Sequence, residues 1–274
     1  MRYTGPPAAE TTPLRLLLLL LLLAAVPAQA ATTHCPEHFA RGAAPDLLNP
    51  RLATGARAIC FAAFAVLHSG VTRTALYSAE HLTDASIGAA RGLPRDSEFH
   101  AEPAVPPDER AELADYARSG FDSGHMSPSG DMPDRDAQQE SFSLANMVPQ
   151  APALNRGLWE GIESAVRTMA QRRGELYVVT GPIFRGDRLQ TVGRVVVPSH
   201  VFKAVLDPGR GQAGAYVAPN TDDADWQPAS MAQLAQLTGM DVFPALSPRA
   251  KSVAMRLPNP TPHNGARRNR GARF

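Results

Sequence analysis

The stretch GFDSGHMSPSGDM, residues 120–132, sets His125 behind Asp122, Ser123 and Gly124 and ahead of a Pro/Gly-rich loop. A neutral imidazole is suited to take a proton near pH 7. A hydrolytic reaction could use such a base to deprotonate an attacking water. A histidine after a glycine is by itself more often structural, so its setting decides. Competing motifs fail on context. The aspartates of DMPDRD (131–136) lack EF-hand spacing and read as a solvated loop. Gly209, Gly211 and Gly214 match G-x-G-x-x-G, yet they join two strand-like runs and open no helix, so they read as a hairpin loop and not a dinucleotide site. No G-x-S-x-G elbow occurs. The His/Cys pairs at 34–38 lack the further ligands that structural zinc requires.

Residues 1–30 read as a secretory leader: Arg2 and Arg15, an apolar stretch with leucine at every position from 16 to 23, and Ala28-Gln29-Ala30 as a small-residue cleavage site. The apolar run is short for a membrane span, and a retained N-terminal anchor is the other reading. The rest of the chain is long enough for one domain with a substantial core. The whole chain has 27 basic and 26 acidic residues. A nucleic-acid partner must therefore be held by a local basic groove and not by bulk charge. Cys35 and Cys60 are the only cysteines. Joining them would contribute about 3 kcal/mol in the chain-entropy model; two free thiols are the alternative, and the expectation is the pair.

Several elements must position the histidine. Residues 31–58 read as irregular, CFAAFAVLHSG and VTRTALYSAEHL as strands holding structural histidines at 68 and 81, residues 92–107 as loop, and 108–117 as a short helix capped by Asp108. In ARSGFDSGHM, Phe121, Ser123 and His125 alternate and would share one face of a strand. ESFSLANM alternates in turn at Phe142, Leu144 and Asn146 and reads as the second strand, although Asn146 taken alone could simply mark a turn. The long helix follows in LNRGLWEGIESAVRTMAQRRG, with Leu154, Leu158, Ile162, Val166 and Met169 three or four apart, ending in a basic turn and Gly174. Asn155 and Glu163, eight residues apart on it, project to similar sides. Glu163 could equally be an ordinary solvated helix residue. The order is strand, loop, strand, helix.

This order resembles the DNA/RNA non-specific endonuclease family, the ββα-metal nucleases that include endonuclease G, whose signature is Asp-Arg-Gly-His. Here it reads Asp122-Ser123-Gly124-His125, preceded by DYARSGF. The resemblance covers most of residues 90–260, including GELYVVTGPIF and RVVVPSHVFKAVLD. It implies an α+β, ββα-metal nuclease fold with a central, mainly antiparallel sheet flanked by helices. It makes His125 the general base, Asn146 its support, Asn155 the metal ligand, Glu163 the partner of the metal's waters and Arg95 a phosphate contact. The implied ion is Mg²⁺, with Mn²⁺ as an alternative, the substrates are DNA and RNA, and the products carry 5′-phosphates. A hard cation keeps most of its waters, so one amide oxygen plus substrate phosphate can hold it. No base readout is needed, because the reacting group is shared by all nucleic acids.

Ser123 departs from the pattern, because the family has arginine there. Asp122, Ser123 and Arg118 are the remaining substrate-side candidates, with Arg118 or Arg95 able to replace the lost cation. The expectation is a secreted or periplasmic nuclease without stable membrane association once the leader is cleaved. Residues 31–258 would be its domain and 259–274, with RRNRGAR, a basic disordered tail. The rival is a catalytically weakened homologue that binds nucleic acid or a partner without cutting.

Overall fold

In the computed structural model, residues 1–5, 34–94 and 98–263 are described. Most of the leader, Arg95 and the arginines of the C-terminal tail lie outside the described residues. In chain order the main elements are β1 (Ala56–Cys60), β2 (Phe64–Ser69), β3 (Thr74–Thr83), α1 (Asp84–Ala90), α2 (Leu113–Tyr116), β4 (Asp122–His125), α3 (Arg135–Ser141) and β5 (Met147–Gln150). They continue with α4 (Glu160–Arg173), β6 (Glu175–Ile183), β7 (His200–Asp207), β8 (Gln212–Pro219), β9 (Gln227–Ala229), α5 (Met231–Thr238) and α6 (Pro248–Ser252).

Seven strands form one sheet in the order β9-β8-β7-β6-β3-β2-β1, antiparallel throughout. Side chains alternate between its faces. Phe64, Val66, Val178, Val201 and Val205 pack against Ile87 of α1 and Trp159, Ile162 and Val166 of the α4 region. Their neighbours Ala65, Val179, Phe202, Ala204 and Leu206 pack against Met231 and Leu234 of α5 and against Phe39 and Cys35. A sheet covered on both sides has no solvent-facing side, which is why β6 and β7 are largely apolar. Cys35 and Cys60 form a disulfide that ties the N-terminal turns to the end of β1. The Gly209–Gly214 stretch spans the β7–β8 turn and the start of β8, as the hairpin reading required. No helix among the described residues is long and apolar enough to cross a membrane.

Four local expectations are corrected. Residues 56–60 are strand, and Cys60 ends β1 while Phe64 opens β2, so the apolar run is two strands joined by a turn. The helix expected over 108–117 is only Leu113–Tyr116, because the Glu112 and Asp115 capping box begins it late. The charges before it serve tertiary pairs instead: Glu109 meets Arg57 at 2.8 Å. ESFSLANM is not a strand. Asp134 caps α3 by accepting from the Ala137 N–H at 2.9 Å, and that helix runs into a 3₁₀ turn at Leu144–Asn146. The second strand starts only at Met147, the last residue of that stretch. The loop SPSGDMPDRD accordingly already holds a 3₁₀ turn at Ser129–Asp131 and the cap and start of α3. In ESFSLANM, side chains that bond nearby backbone, Asp134 and Ser143, overrode a hydrophobic alternation.

Candidate active site

β4 and β5 form a hairpin outside the main sheet, with His125 opposite Met147 and Asp122 opposite Gln150. Gly124 is required by close approach, since a Cβ there would run into the Gln150 side chain. The hairpin leads into α4 through a wide π turn at Leu154–Trp159. In a regular helix, residues eight apart would face about 80° from each other. A π turn absorbs roughly one residue, so the offset between Asn155 and Glu163 falls to about 20°. The turn is held from outside: Asn220 accepts from the Ala151 N–H at 2.8 Å and donates to the Pro149 and Pro198 carbonyls, and Asp222 accepts from the Ala153 N–H.

Hairpin and helix enclose a cleft of about 500 Å³ lined by Asp122, Ser123, His125, Asn155, Arg156, Glu160 and Glu163, with Phe99, Pro128 and His263 at its walls. The expected base, metal ligand and helix glutamate therefore converge. His125 is 7% exposed, with the Phe142 ring edge-on at 4.9 Å and Phe99 at 5.7 Å. It is packed more tightly than a groove-facing strand end implies. Asn155 donates through Nδ2 to Asp122 at 2.9 Å, which turns its amide oxygen the other way. Arg156 forms a fork on the same carboxylate, at 2.8 Å and 2.6 Å, and Asp122 holds its guanidinium above the ordinary arginine range.

Asn146 acts on the chain after the histidine. Its amide accepts from the Ser127 N–H and donates to the carbonyls of Ser127 and Ser141, while its own carbonyl accepts from the Met126 N–H. Beneath this loop lies a buried polar floor on the sheet. Lys203 donates to Thr180 at 2.7 Å and to the Met126 carbonyl at 3.3 Å, and Ser78 meets Ser127 at 2.7 Å. Glu80, 3.8 Å from Lys203, is pushed well above the usual carboxylate range by burial and then by Asp131, against the pull of Lys203. Arg167 pairs with Asp131 at 2.9 Å; burial draws it down, but Asp131 and Glu163 outweigh that and leave it raised. Asp131 and Asp134, two of the loop aspartates, are thus an ion-pair partner and a helix cap.

Arg118 does not line the cleft; it is exposed on the turn before β4, at a positive φ of 57°. Arg156, Asn220 and Lys203 were missed in the sequence. Adjacency to Asn155 was a signal for Arg156. For Lys203 the signal was a lysine within an otherwise apolar strand. Nothing local marked Asn220.

A model of the DNA/RNA non-specific endonuclease family matches residues 44–249. Nuclease C1 of Cunninghamella echinulata var. echinulata is 38% identical over 54% of this chain and 65% of its own length. The mitochondrial nuclease EXOG of Homo sapiens is 31% identical over 70% and 58%, and human mitochondrial endonuclease G is 34% identical over 54% and 55%. The chain thus spans between half and two thirds of these relatives. The crystal structure of the EndoG/EndoGI complex superimposes with a TM-score of 0.64 at 24% identity, covering 72% of this chain and 89% of that one, which shows a shared fold. With the hairpin and helix converging as they do and the family match covering most of the described chain, this protein belongs to the DNA/RNA non-specific endonuclease family.

Proposed function

We propose that this chain is an exported, metal-dependent endonuclease that hydrolyses phosphodiester bonds of DNA and RNA without sequence preference. The observation that carries the reading is the convergence of His125, Asn155 and Glu163 on one cleft. The donor set fits a hard cation: among the described residues no group of three His, Cys, Asp or Glu could hold a metal, whereas an oriented amide oxygen with a carboxylate nearby suits an ion that keeps its waters. Mg²⁺ or Mn²⁺ bound there would supply the charge neutralisation that the leaving oxygen needs.

The chain's own residues do the rest. His125 takes the proton of the attacking water, its ring packed against the Phe99 and Phe142 pair. The Asn146 clamp and the Lys203 contact fix Met126 and Ser127, and so the orientation of the strand end that carries the ring. Asp122 sets the rotation of the Asn155 amide and anchors Arg156. Arg156 places in the cleft a charged fork of the kind that the serine at 123 cannot offer, and this favours the enzyme over the weakened binder. The Cys35–Cys60 disulfide supports an oxidising compartment, in keeping with the leader. Single-turnover cleavage of labelled DNA and RNA by wild type and His125→Asn tests the reading. Substrate loss at equal rates for the two proteins would overturn it.

A further inference from the structure

On the other side of α4 lies a second cleft of about 560 Å³, whose lining includes Ser164, Thr168, Arg172, Arg173, Arg256 and Asn259. Arg256 also lines a third cleft of about 560 Å³, with Arg210 and Arg249. No aspartate or glutamate lines either, in a chain where acidic and basic residues nearly balance. Arg173 and Arg210 share one buried carboxylate, Asp207, at 3.6 and 3.7 Å. Among the described residues, Arg172, Arg249 and Arg256 make no ion pair. The helix dipole accounts for arginines in the last turns of α4 and α6, but not for Arg210 in the β7–β8 turn or Arg256 beyond α6. Four separate elements bring guanidinium groups to one surface.

This surface adjoins the site. The segment from Arg256 to His263 crosses α4 at Gly161, where a Cβ would meet the Thr261 carbonyl, and the Tyr216 hydroxyl donates to the Pro258 carbonyl at 2.7 Å. At its far end His263 pairs with Glu160 at 3.2 Å beside the catalytic cleft. From Glu163 to Arg172 is nine residues of helix, about 14 Å along the axis. That is roughly four steps of a duplex strand at about 3.4 Å each.

We propose that the two arginine-lined clefts form a secondary site for the phosphodiester backbone of a polynucleotide, engaging it about four or more nucleotides from the bond being cut. The inference rests on the nuclease reading of the His125 cleft. It predicts that long substrates gain affinity from these arginines and that short ones do not.

The test compares full-length wild type, Arg172→Gln/Arg256→Gln and Arg172→Lys/Arg256→Lys. Binding of a labelled 30-base-pair duplex is measured by anisotropy against salt in excess chelator. The glutamine variant should bind about tenfold more weakly at low salt, and its log K against log salt slope should flatten by about 2, with the lysine variant near wild type. Its cleavage of a tetranucleotide should be unchanged. Equal affinity and slope for wild type and glutamine variant would overturn the secondary site even if both cut DNA. Failure of wild type to cut any substrate would instead sink the nuclease reading and leave the binding result to be judged separately. Loss of binding to phosphatidylglycerol vesicles with duplex affinity intact would also overturn it, by assigning the surface to a membrane.

Discussion

The two sides of α4 carry opposite chemistry. Asp122, Glu160 and Glu163 surround one cleft with a single guanidinium, from Arg156, while five arginines and no carboxylate line the clefts across the helix. Hard oxygen donors suit a divalent ion, but they repel a polyanion until that ion is present. Positive charge placed there permanently would compete with the ion. On the reading proposed above the two tasks are separated: one surface would perform the chemistry and a neighbouring surface would hold the backbone. Such a division would let a chain with net charge +1 attract nucleic acid, since the balance is local and not global.

The largest expected effect that would sharpen this contrast is at His125. Replacing it with Ala should lower the cleavage rate by about 10²–10⁴-fold, the usual range for a lost general base. Because the ring packs against Phe99 and Phe142, Ala should also lower the thermal midpoint, and Asn should lower it less. A rate within a few fold of wild type would make the histidine structural. Next is Asn155→Ala, which should raise the Mg²⁺ concentration for half-maximal rate by about 10–100-fold, the scale seen when metal-site partners are lost. An unchanged metal requirement would remove Asn155 from the ion's coordination.

Arg156→Ala should cost about tenfold in kcat/KM, equivalent to about 1.4 kcal/mol of transition-state stabilisation. Adding Ser123→Arg to that variant should restore most of the loss, since residues two apart on a strand lie only about 6–7 Å apart. The smallest effect should come from Ser123→Arg alone, a change below about threefold, because the cleft already has a guanidinium. A large gain from Ser123→Arg alone would show that Arg156 does not fill the role and that the two sides of α4 divide binding differently.

The order strand, loop, strand, helix was legible in short-range periodicity, whereas the grouping of His125, Asn155 and Glu163 was legible only through the family resemblance. The second strand was misplaced because Phe142, Leu144 and Asn146 alternate by coincidence, while Asp134 and Ser143 cap helical turns through their own side chains. Asn220 and Lys203 support the site from strands and loops distant in sequence, and no local pattern reports such contacts. The π turn was equally hidden, yet it is what brings an eight-residue spacing onto one face. Arg118, expected as a substitute cation, lies outside the cleft, and the guanidinium that lines it is that of Arg156.

The central claim is metal-dependent cutting at the His125 cleft. The most direct measurement is incubation of the chain from Ala31 onward with supercoiled plasmid and with RNA, in Mg²⁺ and in excess chelator, beside His125→Asn. The account predicts loss of both substrates by wild type in Mg²⁺ only, with the variant far slower. Undiminished cleavage in chelator, or equal cleavage by the variant, would contradict it.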